Sequence, residues 1–141
     1  MKQFTKISLS IGACQAMADA AAAKAEQLGI AISITIVDES GVIKFFSRMD
    51  KAPLVSVDAS RKKAVTAVGL GFSTGDTSHS FIKDDPILFN GVQQLHDFIL
   101  LGGGSPVKSG DHMIGAIGIS GGHYRQDEQC VIAAIDTFNA L

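Results

Sequence analysis

The sequence predicts an α+β fold: a five-stranded antiparallel sheet with helices on both faces. Three observations lead there. The hydropathy pattern runs helix, two strands, helix, irregular helical segment, three strands, helix; no strand–helix–strand alternation calls for a parallel sheet; and 46% apolar against 18% charged residues is enough to bury a core.

The first helix is expected from about Ser8 to Leu28, because Ile11, Cys14, Ala18, Ala21, Ala25 and Leu28 recur at strict three- and four-residue spacing. Ser8 or Ser10 serves as its cap, and Gly29 follows its end, where a left-handed conformation is cheap for glycine. From Ala31 to Val37 the period switches to two, with Ile30, Ile32, Ile34 and Ile36 on one side, which marks a strand. Asp38-Glu39-Ser40-Gly41 is turn chemistry, so Val42 to Met49 completes a hairpin in which Gly41 takes the positive φ.

Pro53 sits where a helix can begin. Leu54, Val57, Arg61, Ala64 and Val68 then share a seam up to Gly69 and Gly71, which turns the charge of Arg61 inward. Phe72 to Gln94 reads as short helices and loops over the sheet. Phe98 to Leu101, Val107-Lys108 and Met113 to Ser120 give three more strands, and after Gly121-Gly122 a closing helix carries Val131, Ala134, Ile135 and Phe138.

At 141 residues, one domain over 1–141 is expected. The net charge of −2 and the lack of a basic block argue against nucleic acid, and no apolar run approaches the roughly 20 residues of a membrane span. Low charge density and a mean hydropathy of +0.26 point to a homo-oligomer that hides apolar area between subunits. Cys14 and Cys130 belong to no metal-ligand spacing and read as two cytoplasmic thiols. Lys2, Lys6 and the apolar stretch after them resemble a signal peptide, but the helical pattern runs straight through the supposed cleavage site, and a cytoplasmic location is expected.

Four sets of residues could carry chemistry. Gly102-Gly103-Gly104 matches neither a Walker loop nor a dinucleotide fingerprint; it is either a tight turn and close approach or a source of backbone amides for a carboxylate. Arg48, Asp50 and Arg61 form the second set. Arg61 either pairs locally with Asp58 or faces a pocket as an anion anchor. Asp127 and Glu128 either complement the start of the closing helix or act as proton acceptors. Of the four histidines, His79, in a Ser/Thr/Gly setting, is the one singled out as a metal ligand, since a single imidazole can hold haem iron.

Several segments together resemble proteins of the GlcG/HbpS type: Val37-Asp38-Glu39-Ser40-Gly41, Arg48-Met49-Asp50-Lys51-Ala52-Pro53-Leu54, Ser60-Arg61-Lys62-Lys63-Ala64, Gly102-Gly103-Gly104-Ser105-Pro106 and Ile114 through Gly122 followed by Asp127-Glu128. The resemblance spans nearly the whole chain in order. It implies a profilin-like three-layer α/β/α fold, homo-oligomers from dimer to octamer, and a link to haem or another tetrapyrrole, to corrinoid adenosyltransferases and to glycolate or glycerol and propanediol catabolism. Two functions follow as expectations. One is a cytoplasmic accessory protein that binds a small anionic ligand through Arg48, Asp50, Arg61 and Gly102 to Gly104; the other is an enzyme on a small carboxylate or carbonyl compound, with Asp127 or Glu128 as base.

Overall fold

The computed structural model describes residues 1–141. Helix α1 (Ile11–Leu28) starts after Ser10, whose side chain accepts the Ala13 amide at 3.1 Å, and ends at Gly29 with φ 72°. Of the two serines expected as its cap, the later one serves. Strands β1 (Ser33–Asp38) and β2 (Ile43–Arg48) form the expected hairpin. Asp38 Oδ1 accepts the amides of Ser40 and Val42 in the turn, and Gly41 takes φ 82°. Helix α2 (Val55–Leu70) follows, then the short helices α3 (Asp76–Ile82) and α4 (Pro86–Val92) in the stretch expected to hold them, then β3 (Gly104–Ser109), β4 (His112–Ser120) and α5 (Tyr124–Asn139).

The sheet has four strands, in the order β2-β1-β4-β3, all antiparallel. The fifth expected strand, Phe98 to Leu101, does not form. Its backbone groups are spent sideways: the Ile99 amide donates to Thr66 Oγ1, the Gly75 amide donates to the Leu100 carbonyl, and Thr66 Oγ1 donates to the Asp97 carbonyl. A run rich in Ile and Leu was legible as a strand by composition alone, but α2 and the start of α3 claim its polar groups before a ladder can.

The two faces of the sheet are built differently. Ile32, Ile34, Ile36, Ile117 and Ile119 pack under α1 and α5 with Cys14, Met17, Cys130 and Ala134, forming a conventional aliphatic core. On the other face Ser33, Thr35, Val37, Ala116 and Gly118 meet Ser56, Ser60, Ala64 and Ala67 of α2. Ser56 and Ser60 donate back to the carbonyls of Pro53 and Val57, so each is left to accept the hydroxyl proton of Ser33 or Thr35, both at 2.8 Å.

This corrects the inward seam expected for α2. Leu54 is 82% exposed and Arg61 only half-buried; of the expected seam Ala64 is fully buried, and it faces the sheet beside Ser56, Ser60, Lys63 and Ala67. The reason is distance: a Cβ on Gly118 would lie 2.0 Å from the Ser60 carbonyl oxygen and 2.5 Å from the Ala64 nitrogen, so small side chains fill the space between helix and sheet, and the one long side chain, Lys63, runs past Gly118 and Gly103.

The two edges of the sheet also differ. The amide and carbonyl of Gly104 both turn outward to Thr74. By strand alternation the next outward position is Pro106, which has no N–H, and the register slips between Val107 and Lys108. The β2 edge carries no such cover, and Val42, Ile43 and Phe46 lie exposed along it.

Gly118→Ala is expected to lower stability by about 3 kcal/mol or more, read as a fall in the urea midpoint. An alanine variant as stable as the parent would contradict the close approach of α2.

Candidate functional site

The end of β4 is where the four sets of candidate residues sort themselves. In an antiparallel ladder an opposed pair exchanges two hydrogen bonds. Here the Ile119 amide donates to the Gly103 carbonyl at 2.8 Å, but the return bond is missing, because Gly103 at φ 115° turns its own amide elsewhere. The free Ile119 carbonyl instead accepts Lys63 Nζ at 2.8 Å, and the same ammonium donates to Asp127 Oδ2 at 3.0 Å. Asp127 Oδ1 accepts the Gly122 amide. Both side chains are 1% exposed, so α2, β4 and α5 are joined by an ion pair sealed from water. Burial pushes the Lys63 ammonium below and the Asp127 carboxyl above its ordinary value, while the attraction between the two charges works the other way.

The glycine run is a crossing point. A Cβ on Gly103 would sit 3.0 Å from Lys63 Nζ, and one on Gly102 would sit 2.7 Å from the Glu128 carboxyl carbon. Gly104 N–H donates to Thr74 Oγ1, and the Thr74 amide returns to the Gly104 carbonyl. Neither Gly102 nor Gly103 gives its amide to a backbone carbonyl.

Two clefts open on either side of this crossing. The first, of about 330 Å³, runs along the start of β3 between Ser73, Thr77 and Ser105 on one wall and Glu128, Ile132 and Ile135 of α5 on the other. The second, of about 220 Å³, is bounded by Gly102, Leu100, Leu101, the Tyr124 ring and His79. Asp76 lines both.

The structure therefore brings Gly102, Gly103, Gly104 and Glu128 to one place, with Asp127 directly behind them. His79 is exposed on α3 at the second cleft, edge-on to Phe89 at 6.3 Å between ring centres. Arg48 and Asp50 do not join them. Arg48 ends β2, three strand spacings or about 14 Å across the sheet from β3, and both side chains are exposed. Arg61 lies on the flank of α2, where its guanidinium holds Asp97 by two bonds of 2.9 Å and Asp58 by bonds of 2.9 and 3.2 Å. Those carboxylates keep the Arg61 guanidinium above its ordinary value, and the pairing ties the turn at Asp97, φ 63°, to the helix.

Sequence reasoning passed over Lys63, Thr74, Asp76 and Arg125. A signal for Lys63 was present: Ser56, Ser60, Ala64 and Ala67 recur at three- and four-residue spacing as a stripe of small residues, and Lys63 lies beside it. No group of three or more His, Cys, Asp or Glu side chains converges to hold a bare metal ion. Both cysteines are buried and their thiols raised, Cys130 to about 11, so neither offers a thiolate near neutral pH.

The comparisons with known proteins agree with this architecture. The family model described as haem degrading protein HbpS-like matches residues 9–136. The chain is 32% identical over 139 residues to the corrinoid adenosyltransferase PduO of Salmonella typhimurium; the match takes in 98% of this chain but only 41% of the longer protein. Among solved structures it is similar to the Klebsiella pneumoniae protein ORFY, with 32% identity, a TM-score of 0.93, and coverage of 100% of this chain and 97% of the other. It is also similar to PduOC solved as a complex with haem, with 31% identity, a TM-score of 0.84, and coverage of 93% and 95%.

Removing one partner of the buried pair strands the other. Lys63→Met is expected to cost about 3–5 kcal/mol of unfolding free energy, and Lys63→Met with Asp127→Asn, which keeps an acceptor for Gly122, to recover a large part of it. A double variant no more stable than Lys63→Met would show that charge pairing is not what the position requires.

Proposed function

The chain belongs to the HbpS-like family, and on that premise we propose that it is a cytoplasmic small-ligand-binding accessory protein whose ligand is haem or another tetrapyrrole. Its setting would be the catabolism of glycolate or of glycerol and propanediol; the likeness to a corrinoid adenosyltransferase supports the last of these.

The second cleft carries the reading. A tetrapyrrole asks for an apolar wall against its ring, a ligand for its metal and donors for its propionates. Leu100, Leu101 and the Tyr124 ring supply the wall, and His79 supplies an imidazole beside them. Gly102 and Gly103, with no backbone acceptor of their own, supply amides where the clefts meet, and Ser73, Thr77 and Ser105 supply hydroxyls. These residues fit the group, and a relative of nearly the same length was solved with haem. Bound haem would bring an iron centre able to take a further small ligand. The chain's own part is to orient the ring against Leu100 and Leu101 and to hold the propionates out of bulk water.

Glu128 favours a second reading. Its carboxylate sits on the wall of the first cleft, 3.0 Å from where a Gly75 side chain would begin, placed to accept a proton from a small carboxylate or carbonyl compound. Turnover of such a compound that is lost in Glu128→Gln while haemin binding persists would identify this activity.

A homo-oligomer of two to eight copies completes the proposal. Leu54, Val55, Ile43 and Phe46, exposed at the start of α2 and along β2, support it. Light scattering at micromolar concentration is expected to give a multiple of the chain mass, and a monomer would reject the assembly. Haemin added to the protein is expected to give a saturable shifted Soret band at one haem per chain. His79→Ala should alter the band and weaken binding about tenfold or more. An unaltered band in that variant removes His79 from the iron, and no band shift in the parent protein rejects the tetrapyrrole.

A further inference from the structure

We propose that Arg125 is the anchor for a carboxylate of the ligand, and that the Asp76 carboxylate holds its place in the free protein. This rests on the ligand-binding reading above and names the residue that selects for the ligand's charge, a role expected of Arg48 and Arg61.

Arg125 touches a lining residue of each cleft. It holds Asp76, which lines both, at 2.7 and 3.3 Å; it lies 3.5 Å from Glu128 of the first cleft; and its guanidinium carbon lies 4.9 Å from the centre of the Tyr124 ring of the second. The Asp76–Arg125 pair thus runs from α3 to α5 where the two clefts adjoin. Each cleft alone is at or below the small end of ligand pockets, roughly 300 Å³, so a ligand larger than either must use both. It would then lie against this pair.

The pair is suited to exchange. Two bonds from one guanidinium to the two oxygens of Asp76 are the same geometry a ligand carboxylate would use. The side chains are 51% and 73% exposed, and surface pairs of this kind are held weakly. Other cations are less available: Arg48 ends β2, at the opposite edge of the sheet from β3, Arg61 is held by two carboxylates on the flank of α2, and Lys63 is sealed against Asp127. The cation–π contact with Tyr124 favours this position of Arg125 whichever carboxylate it holds.

A strap that only ties α3 to α5 makes a different prediction from an exchanging anchor. If the pair is a strap, Asp76→Asn and Arg125→Gln harm haemin binding alike. If Arg125 is the anchor and Asp76 its competitor, the two variants move affinity in opposite directions. Haemin titrations followed by absorbance, with melting temperatures on the same samples, are expected to show several-fold tighter binding for Asp76→Asn and roughly tenfold weaker binding for Arg125→Gln. In the double variant the gain from Asp76→Asn should vanish. Losses of the same sign in both single variants, or a gain that persists without Arg125, overturn the proposal.

Should haemin not bind the parent protein, the tetrapyrrole reading fails and a free dicarboxylate still decides the anchor. Glutarate titrated into ¹⁵N-labelled protein should shift the Arg125 Nε–H resonance, and at lower concentration in Asp76→Asn. A resonance unmoved in both proteins overturns the anchor.

Discussion

A lysine ammonium sealed inside the protein sets the terms for everything around it. Moving one ion out of water costs several kcal/mol even after the protein relaxes, so Lys63 is tolerated only because Asp127 and the Ile119 carbonyl meet it at hydrogen-bond distance. Each of these partners imposes a condition on the chain. Ile119 has a free carbonyl because Gly103 leaves the ladder, and Asp127 can reach because α5 begins directly after the Gly121-Gly122 bend and Gly122 bonds its second oxygen. The crossing of Gly102 to Gly104 beneath Glu128, and hence the position of both clefts, follows from the same arrangement.

The second condition comes from α2 itself. A helix that must deliver a lysine to the end of β4 lies close to the sheet, and the sheet yields by giving up side chains: Gly118 and Ala116 on β4, Ser33 and Thr35 on β1. Little apolar area is buried there, so stability comes mostly from the aliphatic core on the opposite face. The hydroxyl pairs between β1 and α2 satisfy groups that would otherwise be stranded and fix the helix along the strand.

Much of this was legible in the residues, and what was not had a physical cause. Period-two alternation in Ile30 to Val37, the Asp38–Gly41 turn and the alanine stripe of α1 describe local interactions, and they read true. The seam of α2 misled because apolar spacing assumes that a helix buries its largest aliphatic residues, whereas this one faces a sheet without room for them. Phe98 to Leu101 misled because what decides between strand and loop is a set of partners far away in sequence, Thr66 and Gly75. At the site, Gly102 to Gly104 and Glu128 lie together; Arg61 holds Asp58, the local partner its helical spacing offered, but also Asp97 in a distant turn, a contact no spacing rule anticipates.

The unequal edges of the sheet limit how copies of the chain could ever join through their backbones. On β3, Thr74 occupies the outward groups of Gly104, and Pro106 has no proton to give. The edge without such cover is β2. A sheet extended from one edge alone meets its partner across a two-fold axis and then has nothing left to offer, whereas continuous growth needs two usable edges per copy. Thr74, through its amide and its hydroxyl, and Pro106 therefore make β3 a poor edge for a neighbouring strand, which works against runaway stacking in a chain of high apolar content.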